Sequence, residues 1–249
     1  MPEYYRPQLK RESRERLRAA APNVYLVAVI LLVLNNLPSM ILQRGLYAQL
    51  LANADNFDQM MEVYRNWSLQ TSSGGLQLAT FAMNLFLMVL GFGFARYCLH
   101  ASRGEQTGGV PTLFSGFSAF WRVLSLYLLM GIFAFLWSLL LIIPGIVKAF
   151  SYSQATYILM DHPDMTAMEC ITASKEMMRG YKWDLFVLIL SFIGWEILSA
   201  FTFGLLQIWL QPYAGISFAG FYNGISRWQP TVQETPADDR PGVDDYWKS

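Results

Sequence analysis

Six stretches of this chain carry no charged side chain: 24–43, 76–95, 123–147, 149–160, 185–195 and 197–226. A water-soluble domain needs charges scattered along its length to hydrate its surface, so ion-free runs of this size point to lipid as the solvent. The composition agrees, with 54% hydrophobic and only 14% charged residues in 249. A disulfide scaffold, a disordered chain and a basic nucleic-acid binder are excluded, since there are two cysteines and 18 acidic residues balance 18 basic ones. Nucleic acid is therefore not an expected partner.

Crossing about 30 Å of hydrocarbon takes roughly 20 helical residues. Six segments fit: about 24–43, 76–97, 119–142, 144–160, 185–203 and 205–226. Backbone groups left unpaired in lipid are too costly for anything but helix here, and no strand-like alternation competes. The expected fold is all-α, a polytopic membrane protein with about six transmembrane helices in a domain spanning 23–228. Ile142-Ile143-Pro144-Gly145 and Phe203-Gly204 leave tight joints, and Pro144 suits the first turn of a returning helix. The pairs 119–160 and 185–226 thus read as helical hairpins. They share a leading tryptophan (Trp121, Trp183), a mid-span glycine (Gly131, Gly194) and a proline before the return helix (Pro144, Pro212), a weak internal likeness.

Basic residues set the orientation. Fifteen of the 18 fall on the side of the termini and of the loops 98–118 and 161–184, whereas Arg44 and Arg65 fall opposite and Lys148 lies within a span. Both termini are expected in the cytoplasm of a multi-pass plasma-membrane protein. The first apolar run is long for a signal peptide and carries Asn35, Asn36 and Pro38, with no small-residue cleavage site close behind, so it reads as a retained span. Cys98 and Cys170, on the cytoplasmic side, are expected to be free thiols.

Outside the spans, residues 1–22 form a basic segment, and 3–20 read as an amphipathic helix suited to anionic lipid. In loop 44–75, Leu46, Tyr47, Leu50, Leu51, Phe57, Met61 and Tyr64 recur at helical spacing and predict an interfacial helix. Thr166-Ala167-Met168-Glu169 has capping-box spacing. Met168, Ile171 and Met178 then share a face, and Gly180 is a natural stop, giving a cytoplasmic amphipathic surface helix over about 166–179. The acidic, proline-containing tail 229–249 has little to bury and is expected to be disordered.

Ionisable groups within spans are candidates for function, and Lys148 and Glu196 qualify. They lie at similar depths. They can pair between hairpins, Lys148 can snorkel outward alone, or Glu196 can couple an ion or proton. Asn35 and Asn36 in the first span and Asn84 in the second are expected to hydrogen-bond between helices. Gly91, Gly93 and Ala95, with Gly220 and Gly224, offer faces for close helix approach. No metalloprotease, nucleophile-elbow or phosphate-loop motif is present, and His100 and His162 have no ligand cluster at metal spacing. No enzyme activity, catalytic residue, metal or cofactor is expected.

Residues 144–153 (Pro-Gly-Ile-Val-Lys-Ala-Phe-Ser-Tyr-Ser), 157–164 (Tyr-Ile-Leu-Met-Asp-His-Pro-Asp) and 167–169 (Ala-Met-Glu) are followed by Ser174, Met177, Met178, Gly180, Lys182 and Trp183. With Ser191-Phe-Ile-Gly-Trp195, this stretch resembles the bacterial membrane proteins grouped as domain of unknown function family 975. Ala155-Thr156 stands where the family usually shows alanine and proline. The resemblance implies a helical integral membrane protein of bacterial, mostly Gram-positive, origin, and it implies no activity. The functional expectation is a non-enzymatic scaffold or accessory subunit of a membrane complex, with a membrane protein or a second copy as partner. The alternative is a secondary transporter or permease component using Lys148, Glu196 and the asparagines.

Overall fold

The computed structural model describes residues 6–20, 23–53, 56–71, 74–202 and 204–226. The tail 229–249, for which disorder is expected, lies outside them. All regular structure among the described residues is helical: α1 (Arg6–Ala20), α2 (Asn23–Ala52), α3 (Phe57–Thr71), α4 (Gly74–Arg103), a 3-10 helix (Val110–Ala119), α5 (Phe120–Leu140), α6 (Ile142–Tyr152), α7 (Ala155–Asp161), α8 (Ala167–Met177), α9 (Lys182–Phe201) and α10 (Gln207–Ser226). Three helical stretches among these are long and apolar enough to cross a membrane: Gly74–Arg103, Val110–Leu139 and Lys182–Phe201. The pair Pro7–Ala19 and Asn23–Asn36, bent by 94°, passes only when taken together.

The element expected as one span over 144–160 is instead two short helices, α6 and α7. At the break, Ser151 and Ser153 turn their hydroxyls back onto the carbonyls of Val147 (3.0 Å) and Phe150 (2.8 Å). The backbone groups released at the break are taken up by Ser174 of α8. Its buried hydroxyl accepts from the Gln154 N–H at 3.2 Å and donates to the Ser151 carbonyl at 2.7 Å. Ser174→Ala is therefore expected to leave two buried backbone groups unpaired, costing about 1–3 kcal/mol in a denaturation series in detergent. A change within error would show that the break closes without Ser174.

α8 starts as its sequence predicts. The Thr166 N–H donates to Glu169 Oε2 at 2.7 Å, and the Glu169 N–H donates to Thr166 Oγ1 at 3.3 Å. Those bonds to Thr166 hold the exposed Glu169 carboxyl below its usual range. Gly180 stops the run with φ 87°. The face α8 buries differs from the expected one: Ile171 and Met178 are buried with Cys170 and Ser174, while Met168 is exposed.

α10 is the centre of the packing, meeting α1, α2, α4 and α9. Leu9, Ser13 and Leu17 of α1, spaced by four, are buried, and Leu9 fits beside Gly220, where an added Cβ would lie 2.8 Å from Leu9 Cδ1. The apolar positions of the basic N-terminal helix thus face protein. Its cations also reach aromatic rings: Lys10 Nζ is 4.7 Å from the Phe192 centroid and Arg14 is 5.6 Å from that of Tyr213. Val24, Val27, Ala28 and Leu31 of α2 continue the buried stripe, and the helix then runs on through Pro38 to Ala52. Part of the expected interfacial helix, 44–52, belongs to α2. The rest is α3, which buries none of its residues.

α4 and the 3-10 helix approach at backbone distance. A Cβ built at Gly93 would fall inside the envelope of the Leu113 carbonyl, and one at Gly116 would lie 2.7 Å from the Val89 carbonyl. At Gly91, Gly131 and Gly194 the same construction meets nothing within 4 Å, so these glycines do not serve close packing within the chain.

Candidate functional site

The five polar span residues do not converge. Lys148 lies over Trp137 of the same hairpin, its Nζ 4.4 Å from the ring centroid. Glu196 accepts from Gln207 Nε2 at 2.6 Å, across the α9–α10 joint. Among the described residues no ion pair joins Lys148 to Glu196. Asn35 and Asn84 donate to carbonyls one turn back in their own helices, Leu31 at 2.8 Å and Thr80 at 2.9 Å, where bonds between helices were expected. Asn36 donates likewise to the Leu32 carbonyl at 2.7 Å. Positions along a helix can be compared from sequence, but the azimuth that decides a meeting depends on how the helices are rotated.

The polar groups that do meet are others. Arg103, the last residue of α4, forks onto Asp161, the last residue of α7, with Nη1 to Oδ1 at 2.9 Å and Nη2 to Oδ2 at 2.6 Å. Its Nε donates to Asn223 Oδ1 of α10 at 3.0 Å. The Tyr222 hydroxyl donates to Asp161 Oδ2 at 2.9 Å, and Asn223 Nδ2 donates to Ser102 Oγ at 2.8 Å. The Tyr157 ring stacks on Tyr222 at 5.2 Å between centroids. Three elements distant in sequence are thereby tied at one point. Bidentate geometry of this kind is the strong form of the guanidinium–carboxylate contact.

The electrostatics fit a fixed ion pair. Burial alone would raise the Asp161 carboxyl, but the Arg103 and Tyr222 hydrogen bonds outweigh it and hold the group below the usual carboxylate range. An ionised carboxylate already accepting three hydrogen bonds is a poor general base. Beside the cluster, a cavity of about 980 Å³ opens between α1, α4 and α10, lined among others by Arg16, Glu12, Ser102, Arg103, Asn223 and Gly220.

Sequence reading missed this cluster. Arg103 counted only as an orientation charge, and Asp161, like Ser174, was one letter of a family resemblance. One signal was available: Asp161 follows an ion-free run directly, where a lone carboxylate needs a cation. The two thiols, Cys98 and Cys170, are free and buried. Among the described residues no three His, Cys, Asp or Glu side chains group as metal ligands would.

Residues 139–229 fit a family model described as protein of unknown function (DUF975), which shows the resemblance over α6 to α10. No curated protein and no solved structure matches. The matched segment contributes Asp161, Tyr222 and Asn223 to the cluster, and Arg103 and Ser102 lie outside it.

Proposed function

We propose that this chain, similar over residues 139–229 to a family of unknown function, is a multi-pass bacterial plasma-membrane protein acting as a non-enzymatic scaffold or accessory subunit. In this reading the chain crosses six times, with both termini and α8 in the cytoplasm. The excess of basic residues on one side of the apolar runs supports that orientation. The observation that carries the scaffold role is the fate of the polar groups. Those that converge bind one another, and those within spans bond to their own helix or hairpin. Such groups fix packing and leave little to greet a passing solute.

Anionic lipid is the expected neighbour of the exposed Arg11 and Arg18 on α1. Because Leu9 and Leu17 are packed in protein, this attraction is electrostatic and falls with salt. Extraction in native lipid particles followed by mass spectrometry tests the reading. A membrane protein recovered in constant ratio to this chain is expected. A chain always recovered without any companion contradicts it.

The transporter reading keeps one observation in its favour. The α6–α7 break resembles the discontinuous helices of transporters, and buried Gln154 Oε1 beside it has no partner among the described residues. It requires that Glu196→Gln change a solute flux in vesicles without loss of folding; unchanged flux removes the coupling role.

A further inference from the structure

α4 runs for 30 residues, yet from Gly74 to Asn84 nearly every position is exposed. Along α4, Gln77, Thr80, Asn84, Leu87 and Gly91 follow one another at intervals of three, four, three and four, the first three in that bare half and Leu87 partly packed on the core. That spacing keeps all five on one stripe of the helix, as the seam positions of a coiled coil are kept. The stripe is turned away from the 3-10 helix, which packs on the face of Phe86, Val89 and Gly93. It also borders a groove of about 400 Å³ lined by Thr71, Leu76, Gln77, Thr80, Phe81 and Asn84.

A carboxamide is a poor surface to offer to lipid tails, which neither donate nor accept a hydrogen bond. The Asn84 Nδ2 group donates once, to the Thr80 carbonyl, and Thr80 Oγ1 donates to the Leu76 carbonyl at 2.9 Å. Among the described residues, the second N–H of Asn84 and its Oδ1 have no partner. No charged residue occurs between Arg65 and Arg96, so nothing on this stretch repels a like surface. A built Cβ at Gly91 meets nothing within 4 Å, which leaves the backbone open to close approach.

We propose that the Gln77–Thr80–Asn84–Leu87–Gly91 stripe of α4 is a self-association face, on which a second copy of this chain packs in the bilayer with Asn84 opposite Asn84. Hydrogen-bond complementarity selects this occupant. A two-fold axis sets the same amide, with its donor and its acceptor, at the same depth on both sides. A polar residue at a seam position is also the device that fixes register and oligomer number in coiled coils. The proposal rests on the membrane-spanning reading and gives the scaffold its first partner.

The test uses full-length protein in phosphatidylethanolamine–phosphatidylglycerol vesicles, counted by single-molecule photobleaching over a range of protein-to-lipid ratios. Two-step bleaching rising with density is expected, and Asn84→Leu is expected to weaken association about tenfold, the size of one interhelical polar contact in a membrane. Asn84 is exposed, so this substitution leaves the monomer's packing intact. Independently, Gln77→Cys and Thr80→Cys are expected to form disulfide-linked dimers on mild oxidation, and Ala79→Cys and Ala82→Cys, on other faces, are not. The native Cys98 and Cys170 are buried and stay silent. Single bleaching steps at every density, or equal cross-linking on all faces, overturns the proposal while leaving the membrane reading in place. Release of the protein by alkaline washing overturns both.

Discussion

Gly93→Ala is expected to destabilise the protein by about 2–4 kcal/mol, a heavy cost for one methyl group. The new Cβ would enter the space of the Leu113 carbonyl, which belongs to backbone and cannot rotate aside. Nor can the 3-10 helix slide away cheaply, because Gly116 fixes it against the Val89 carbonyl a turn further along. Gly91→Ala, two residues away, supplies the control. Its Cβ meets nothing, so the better helix propensity of alanine should leave the monomer unchanged or stabilise it by up to about 1 kcal/mol. Thermal unfolding in one detergent measures both. Equal effects at 91 and 93 would contradict the close approach.

The second large effect belongs to Asp161. Asp161→Ala is expected to cost about 1–3 kcal/mol, because it leaves a partly buried guanidinium without its carboxylate and the Tyr222 hydroxyl without its acceptor. Removing both charges, as in Arg103→Met with Asp161→Leu, should cost clearly less than the sum of the single losses, and strict additivity would show that the pair is not coupled. The cluster also predicts a pH dependence. The folded carboxyl titrates below its unfolded value of about 3.9, so its contribution is complete above that pH and is lost as pH falls through the folded value. Stability should therefore drop on the acid side below about pH 4, and Asp161→Asn should flatten that limb.

What the sequence discloses and what it conceals divide along a physical line. The α8 start at Thr166 and Glu169 is legible because a capping box is closed by residues three apart. The Leu141 joint is legible for the same reason: Pro144 suits an opening turn, and Gly145 lets the returning helix seat against Ser138. The break at Ser153–Gln154 is not legible, since an apolar run of that length fits a single span. Only the hydroxyl of Ser174, twenty residues on, makes the interruption tolerable. The Arg103–Asp161 pair spans 58 residues and unites two helix ends that the sequence assigns to separate loops. Lys148 and Glu196 show the converse. Comparable depth suggested a pair, and rotation of the helices gave each a different neighbour.

The role of α1 follows the same logic. A basic amphipathic helix reads from sequence as lipid-facing, because the moment of a helix does not say what covers its apolar side. Here α10 provides a slot at Gly220 and the Tyr213 ring for Arg14, and α9 provides the Phe192 ring for Lys10, so the helix docks on protein.

Sidedness underlies the whole account and is open to a direct measurement. Single cysteines placed at Gln59, on α3, and at Lys175, on α8, are to be labelled in intact cells with a membrane-impermeant maleimide. The predicted result is labelling at 59 in intact cells and at 175 only after permeabilisation. Labelling at 175 with protection at 59, or at both in sealed cells, would contradict a bundle that keeps α8 and the termini in the cytoplasm.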